Sequence, residues 1–224
     1  MDRKIFLKNG IKAIGIIAAV PTLVTSCEST DEEVSANSCT MSPRETAGPF
    51  PIKTPADLVR ENIIGNKQGV PLLMKFVIQN VNQGCSPLAG VYVDVWHCDA
   101  KGNYSEYSDQ LDGNFTNESF LRGRQTTDNN GNASFISIYP GWYPGRTPHL
   151  HVEIKDSSNK SLLITQVSFP DTISNTVYAT TGYKGTADTN NLNDGIVDNS
   201  NLADSVTGNA SDGYTLIKTI KVPG

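Results

Sequence analysis

Apolar residues alternate with polar ones, or run together in short blocks, at several places after residue 70. Val91, Val93 and Val95 alternate with Tyr92, Asp94 and Trp96, and Leu72 to Val81 is rich in β-branched and aromatic residues. Both patterns predict strands, since a period of two places one set of side chains on each face of a sheet. Further strands are predicted over Ala133 to Tyr139, His149 to Ile154, Leu162 to Phe169 and Tyr214 to Val222. The Asp128-Asn129-Asn130-Gly131-Asn132 cluster is a turn leading into one of them. No long segment carries a helical period, so the pattern predicts an all-β sandwich or barrel. The stretch from Asp171 to Ser205, rich in Asn, Thr, Asp and Gly, reads as a long loop.

The N-terminus follows a different pattern. Arg3, Lys4 and Lys8 precede an apolar stretch from Ile11 to Val24 that is too short for a stable membrane span. It ends at Val24-Thr25-Ser26-Cys27, which resembles the lipobox of bacterial lipoproteins. Residues 1–26 are therefore expected to be a signal peptide, with Cys27 acylated and tethering an exported protein to a membrane surface. An ordinary signal peptide or a signal anchor is the alternative. Residues 27–38, with the acidic run Glu28 to Glu33, read as a flexible tether, and the folded domain as residues 39–224.

Losing the leader removes Asp2 and the bases Arg3, Lys4, Lys8 and Lys12, so the formal charge falls from -5 to -8. A chain this acidic gives no reason to expect a nucleic-acid partner. About 185 residues then remain, enough for one sizeable core. Export would place Cys39, Cys85 and Cys98 in an oxidising compartment. Connectivity is open at this level. The loop-like settings of Cys39 and Cys85 favour that pair, which leaves Cys98 as a small buried residue.

The chemistry concentrates in Tyr139-Pro140-Gly141-Trp142-Tyr143-Pro144-Gly145-Arg146-Thr147-Pro148-His149-Leu150-His151. On a strand, His149 and His151 point to one face while Leu150 and Val152 face the other. A His-x-His pair alone is a weak metal signal and is as readily a hydrogen-bonded structural pair. The Pro/Gly-rich loop strengthens it by carrying Tyr143 and Arg146 toward the same strand end. His97, the third histidine, reads as structural, and Tyr139 and Trp142 as packing residues. Glu106, Asp109 or Glu153 could complete a different site. Glu153 shares the strand face of the histidines, so a divalent-metal enzyme using His149, His151 and a carboxylate is one alternative. A lipid-anchored binding module with a structural histidine pair is the other.

The same loop, with Thr46-Ala47-Gly48-Pro49-Phe50, Val93 to Ser105 and Phe120-Leu121-Arg122-Gly123, resembles the intradiol ring-cleavage dioxygenases, such as the protocatechuate and catechol enzymes. The resemblance covers essentially the whole domain from Cys39. It implies a single β-sandwich domain whose long loops carry a mononuclear non-haem Fe(III) bound by Tyr104, Tyr143, His149 and His151. Arg146 and Gln166 would stand beside the substrate, a catechol-type ring opened with O2 to a muconate-type diacid. Tyr143 would leave the metal and take a substrate proton, while Tyr104 stays bound. The residue types suit that charge state, because two tyrosinates and a hydroxide neutralise a hard trication in a partly dry cavity.

Overall fold

A computed structural model describes residues 39–224; the leader, Cys27 and the tether lie outside the described residues. Among the described residues nine strands form two sheets. In chain order they are β1 (Pro71–Asn80), β2 (Ser86–Pro87), β3 (Tyr92–Trp96), β4 (Arg122–Thr126), β5 (Asn132–Ile138), β6 (His149–Lys155), β7 (Ser161–Ser168), β8 (Ser205–Asn209) and β9 (Gly213–Val222). The first sheet runs β2-β1-β9-β8, with β5 also paired to β1; the second runs β4-β3-β6-β7. Every pairing is antiparallel except that of β1 with β9.

The sheets meet over one apolar core. Leu72, Met74, Phe76 and Ile78 from β1, Phe135 from β5 and Leu216 and Ile220 from β9 face Val93 and Val95 of β3, Leu150, Val152 and Ile154 of β6, and Leu163 and Val167 of β7. These are the alternate positions of each strand, so register places the remaining side chains on the outer faces. Removing one such aromatic, as in Phe76→Ala, costs roughly 3–5 kcal/mol. Cys39 and Cys85 are joined in a disulfide, and Cys98 is free and buried, as the loop-like setting of the first two favoured.

The all-β sandwich expectation stands, with several local corrections. A helix, α1 (Asp171–Tyr178), lies inside the stretch read as loop. It buries Ser174, Val177 and Tyr178, an i, i+3, i+4 face whose first member is polar because Ser174 Oγ bonds the Tyr139 hydroxyl at 2.9 Å. The apolar period was therefore hidden by a serine. Strand β4 was not foreseen because Arg122-Gly123-Arg124-Gln125-Thr126 holds no apolar residue, yet its first three are buried. Arg124 is neutralised by its cross-strand neighbour Asp94 through contacts of 2.5 and 2.6 Å, which makes a charged strand tolerable inside. Strand β8, Ser-Val-Thr-Gly-Asn, is a half-exposed edge without alternation.

Candidate metal centre

The outer face of the second sheet sets out the site. Register pairs Trp96 with Arg122 and with His151, His151 with Gln166, and His149 with Ser168. The Trp96 indole stacks flat on the His151 imidazole, with centroids 5.1 Å apart and planes 3° from parallel. Segment 44–48 runs along the free edge of β7. Arg44 donates to the Leu162 carbonyl, Glu45 N to the Ile164 carbonyl, and Gln166 Nε2 donates to the Thr46 carbonyl at 2.9 Å. Gly48 then closes on His151: at φ +69, a Cβ there would stand 2.8 Å from the imidazole Cε1.

Local sequence explains how the other groups arrive. Tyr143-Pro144-Gly145-Arg146 forms a turn closed by Arg146 N to the Tyr143 carbonyl at 3.3 Å, with Gly145 at φ +80. Proline second and a positive-φ glycine third is the type II arrangement. Its two ends are Tyr143 and Arg146, so the turn brings a phenol and a guanidinium together. Tyr104 comes from the loop after β3, where its backbone N–H donates to Gln110 Oε1 at 2.8 Å.

The four groups converge. His149 Nε2 lies 3.2 Å from His151 Nε2 and 3.3 Å from the Tyr143 hydroxyl, and the Tyr104 ring centroid is 5.9 Å from that of Tyr143 and 6.3 Å from that of His151. His149 Nδ1 bonds the Thr147 carbonyl at 2.6 Å; a carbonyl only accepts, so the proton sits on Nδ1 and the Nε2 lone pair faces the site. Both imidazoles are held neutral. Burial, then Arg146, lowers the His149 pKa to about 4, and burial, then His149 and Arg146, holds His151 well below its usual range. Arg146 donates from Nη2 to Gln166 Oε1 at 2.6 Å, from Nε to Asp194 Oδ2 at 2.8 Å, and points Nη1 at the Tyr143 hydroxyl at 3.4 Å.

The buried Tyr104 hydroxyl at this spot has no hydrogen-bond partner, and such a group is costly to leave unpaired. Burial, then Cys98 and Tyr143, raises the Tyr104 pKa well above its ordinary value, and burial also raises that of Tyr143. Phenols this dry keep their protons unless a cation sits beside them. Two imidazole nitrogens, an unpaired phenol and a second phenol against a guanidinium thus suit a hard metal ion. The carboxylate alternative finds no support. Among the described residues no group of three or more His, Cys, Asp or Glu is placed to hold a metal, and Glu153 pairs with Lys155 at 3.0 Å.

The remaining sequence-singled residues are elsewhere. His97 is fully buried between Ser137 Oγ, 2.7 Å from Nε2, and the Cys98 carbonyl, 2.8 Å from Nδ1. Tyr139 packs on Phe169, and Trp142 donates to the Gly185 carbonyl. Glu106 accepts from Lys53 N and lies 3.4 Å from Arg122. Sequence reasoning missed Asp194, Thr147 as the acceptor for His149, and Trp96 as the stacking partner of His151. Only Trp96 carried a signal, since its strand parity matched that of His151 once β3 and β6 were paired.

A family model described as Dioxygenase matches residues 51–180. The protocatechuate 3,4-dioxygenase beta chain of Burkholderia cepacia is 33% identical over 113 residues, 46% of this chain and 48% of that one. Catechol 1,2-dioxygenase of Candida albicans is 40% identical over 58 residues, 26% of this chain and 18% of its own. The match thus spans about half the length of the first of these curated relatives and less of the second. Among solved structures, the intradiol ring-cleavage dioxygenase of Tetranychus urticae superposes with a TM-score of 0.73 at 27% identity, covering 83% of this chain and 95% of that one. With the fold, the convergent tyrosines and histidines and these similarities in hand, the chain belongs to the intradiol ring-cleavage dioxygenase family.

Proposed function

We propose that this chain is a non-haem Fe(III) dioxygenase that opens a catechol-type ring between its two hydroxyl-bearing carbons, adding both atoms of O2 to give a muconate-type diacid. The observation that carries this reading is the buried, unpartnered Tyr104 hydroxyl beside two imidazoles and a second phenol. Tyr104, Tyr143, His149 and His151 would hold the iron. Bound there, Fe(III) would supply Lewis-acid polarisation of the diol.

The chain's own groups account for the rest. Tyr143 would receive a proton from the substrate hydroxyl when it is present as the phenolate, and Arg146 Nη1, 3.4 Å from its oxygen, would stabilise that anion before the transfer. Arg146, permanently charged and planar, offers fixed positive potential where negative charge develops on the opening ring. Gln166, anchored by Thr46, holds that guanidinium on Nη2. Trp96 and Gly48 pack on His151 and limit water. Incubation with catechol under 18O2 tests the reading: a muconate carrying two labelled oxygens supports it, and unlabelled or absent product refutes it.

Export and acylation at Cys27 belong to the same proposal, and the Cys39–Cys85 disulfide supports an oxidising compartment. Labelled palmitate incorporation that disappears in Cys27→Ala is the expected result; equal labelling of both proteins would refute it.

A further inference from the structure

Arg146 and Thr147 share a carboxylate partner that neither the motif nor the sheet contains. Asp194 lies in the chain between α1 and β8, and its side chain is fully buried against Arg146. One carboxylate oxygen, Oδ2, accepts from Arg146 Nε at 2.8 Å and from Thr147 N at 2.8 Å. The other, Oδ1, accepts from Ile196 N at 2.8 Å and Val197 N at 3.0 Å. The carbonyl of Thr147 in turn takes the His149 Nδ1 proton at 2.6 Å.

Building on the reading above, we infer that Asp194 is a positioning residue, holding the Arg146 guanidinium with Nη1 toward Tyr143 and anchoring the N–H of Thr147, the residue whose carbonyl sets the His149 tautomer. The geometry explains why one carboxylate does both. A planar guanidinium held on Nε by Asp194 and on Nη2 by Gln166 has no rotational freedom left, so Nη1 must face Tyr143. Asp194 also compensates the Arg146 charge within a largely buried setting. Asp194 therefore acts through Arg146 and Thr147, without contact to the substrate.

Asp194→Asn keeps the size and the acceptor for Ile196 and Val197 but turns an NH2 toward two N–H donors. It should release Arg146 while leaving the sheets intact. The decisive experiment uses the full chain in two arms. In metal-free protein, the Arg146 Nε–H resonance, assigned by its loss in Arg146→Lys, should be protected from exchange in the wild type and lost or rapidly exchanging in Asp194→Asn. In iron-loaded protein, Asp194→Asn should keep its iron but lose roughly 10- to 100-fold in kcat, and Asp194→Asn combined with Arg146→Ala should be no slower than Arg146→Ala alone. An unprotected wild-type resonance, an unchanged resonance in Asp194→Asn, or losses that multiply would each overturn the inference. The wild-type resonance decides even if Asp194→Asn does not fold. Iron-loaded wild type that leaves catechol untouched would refute the proposed activity, while the metal-free arm would still decide the role of Asp194.

Discussion

The two sheets use the same strand geometry to opposite ends. In β1 the burial alternates strictly between full and partial along all ten residues, so one face meets the core and the other meets solvent. In β6 the first four residues, His-Leu-His-Val, are buried without interruption. Its outer face is roofed by the 44–48 segment and by the Tyr139 to Thr147 loop, which deliver Gly48, Tyr143 and Arg146 over the histidines. Polar side chains buried on a face that the core does not need have to be explained by partners or by function. Asp94 and Arg124 explain each other; the unpartnered Tyr104 hydroxyl is not explained in that way.

That contrast can be broken most sharply at β6. His151→Ala should leave the fold intact and remove iron and activity together, a loss well beyond the roughly 10- to 100-fold of a supporting residue; iron analysis with a turnover assay checks it. Phe76→Ala, on the inner face of the first sheet, should do the reverse, lowering stability by roughly 3–5 kcal/mol in denaturant titration with iron still bound in the folded fraction. Lys75→Ala, one residue away on the outer face, should change stability by no more than about 0.5 kcal/mol in the same titration.

Two further tests probe the ties between the sheets. His97, on the second sheet's loop, meets Ser137 of β5, and burial lowers its pKa to about 4. An unfolded histidine takes its proton near pH 6.5, where the folded one stays neutral, so protonation in this window favours unfolding. Its contribution is intact above pH 6.5 and is lost as pH falls toward 4, a change of roughly 3 kcal/mol. His97→Gln should remove that share of the slope in denaturant titrations, leaving the share that the equally buried His149 and His151 contribute. Cys85→Ala, which frees the chain before the 44–48 segment, should cost roughly 2–4 kcal/mol in denaturant titration.

Sequence was readable where one physical rule acted alone. The valines of β3 and the His-x-His of β6 follow strand parity directly, and the Tyr-Pro-Gly-Arg turn could have been assigned from its turn residues. It was opaque where long-range partners overrode local preference. Ser174 interrupts the apolar face of α1 for the sake of Tyr139, and Arg122 and Arg124 make a buried strand only because Ser105, Glu106 and Asp94 wait for them. Asp194 is one of many polar residues in its loop, and nothing local distinguishes it from Asp188 or Asp198 before the chain closes.

The proposed function requires a tyrosinate-bound iron on the roofed face of the second sheet. The visible spectrum and iron content of the purified full chain, before and after anaerobic addition of catechol, test it most directly. A red-brown charge-transfer band with close to stoichiometric iron, shifting on catechol addition, is the expected result. A protein that stays colourless after reconstitution with iron would contradict the account.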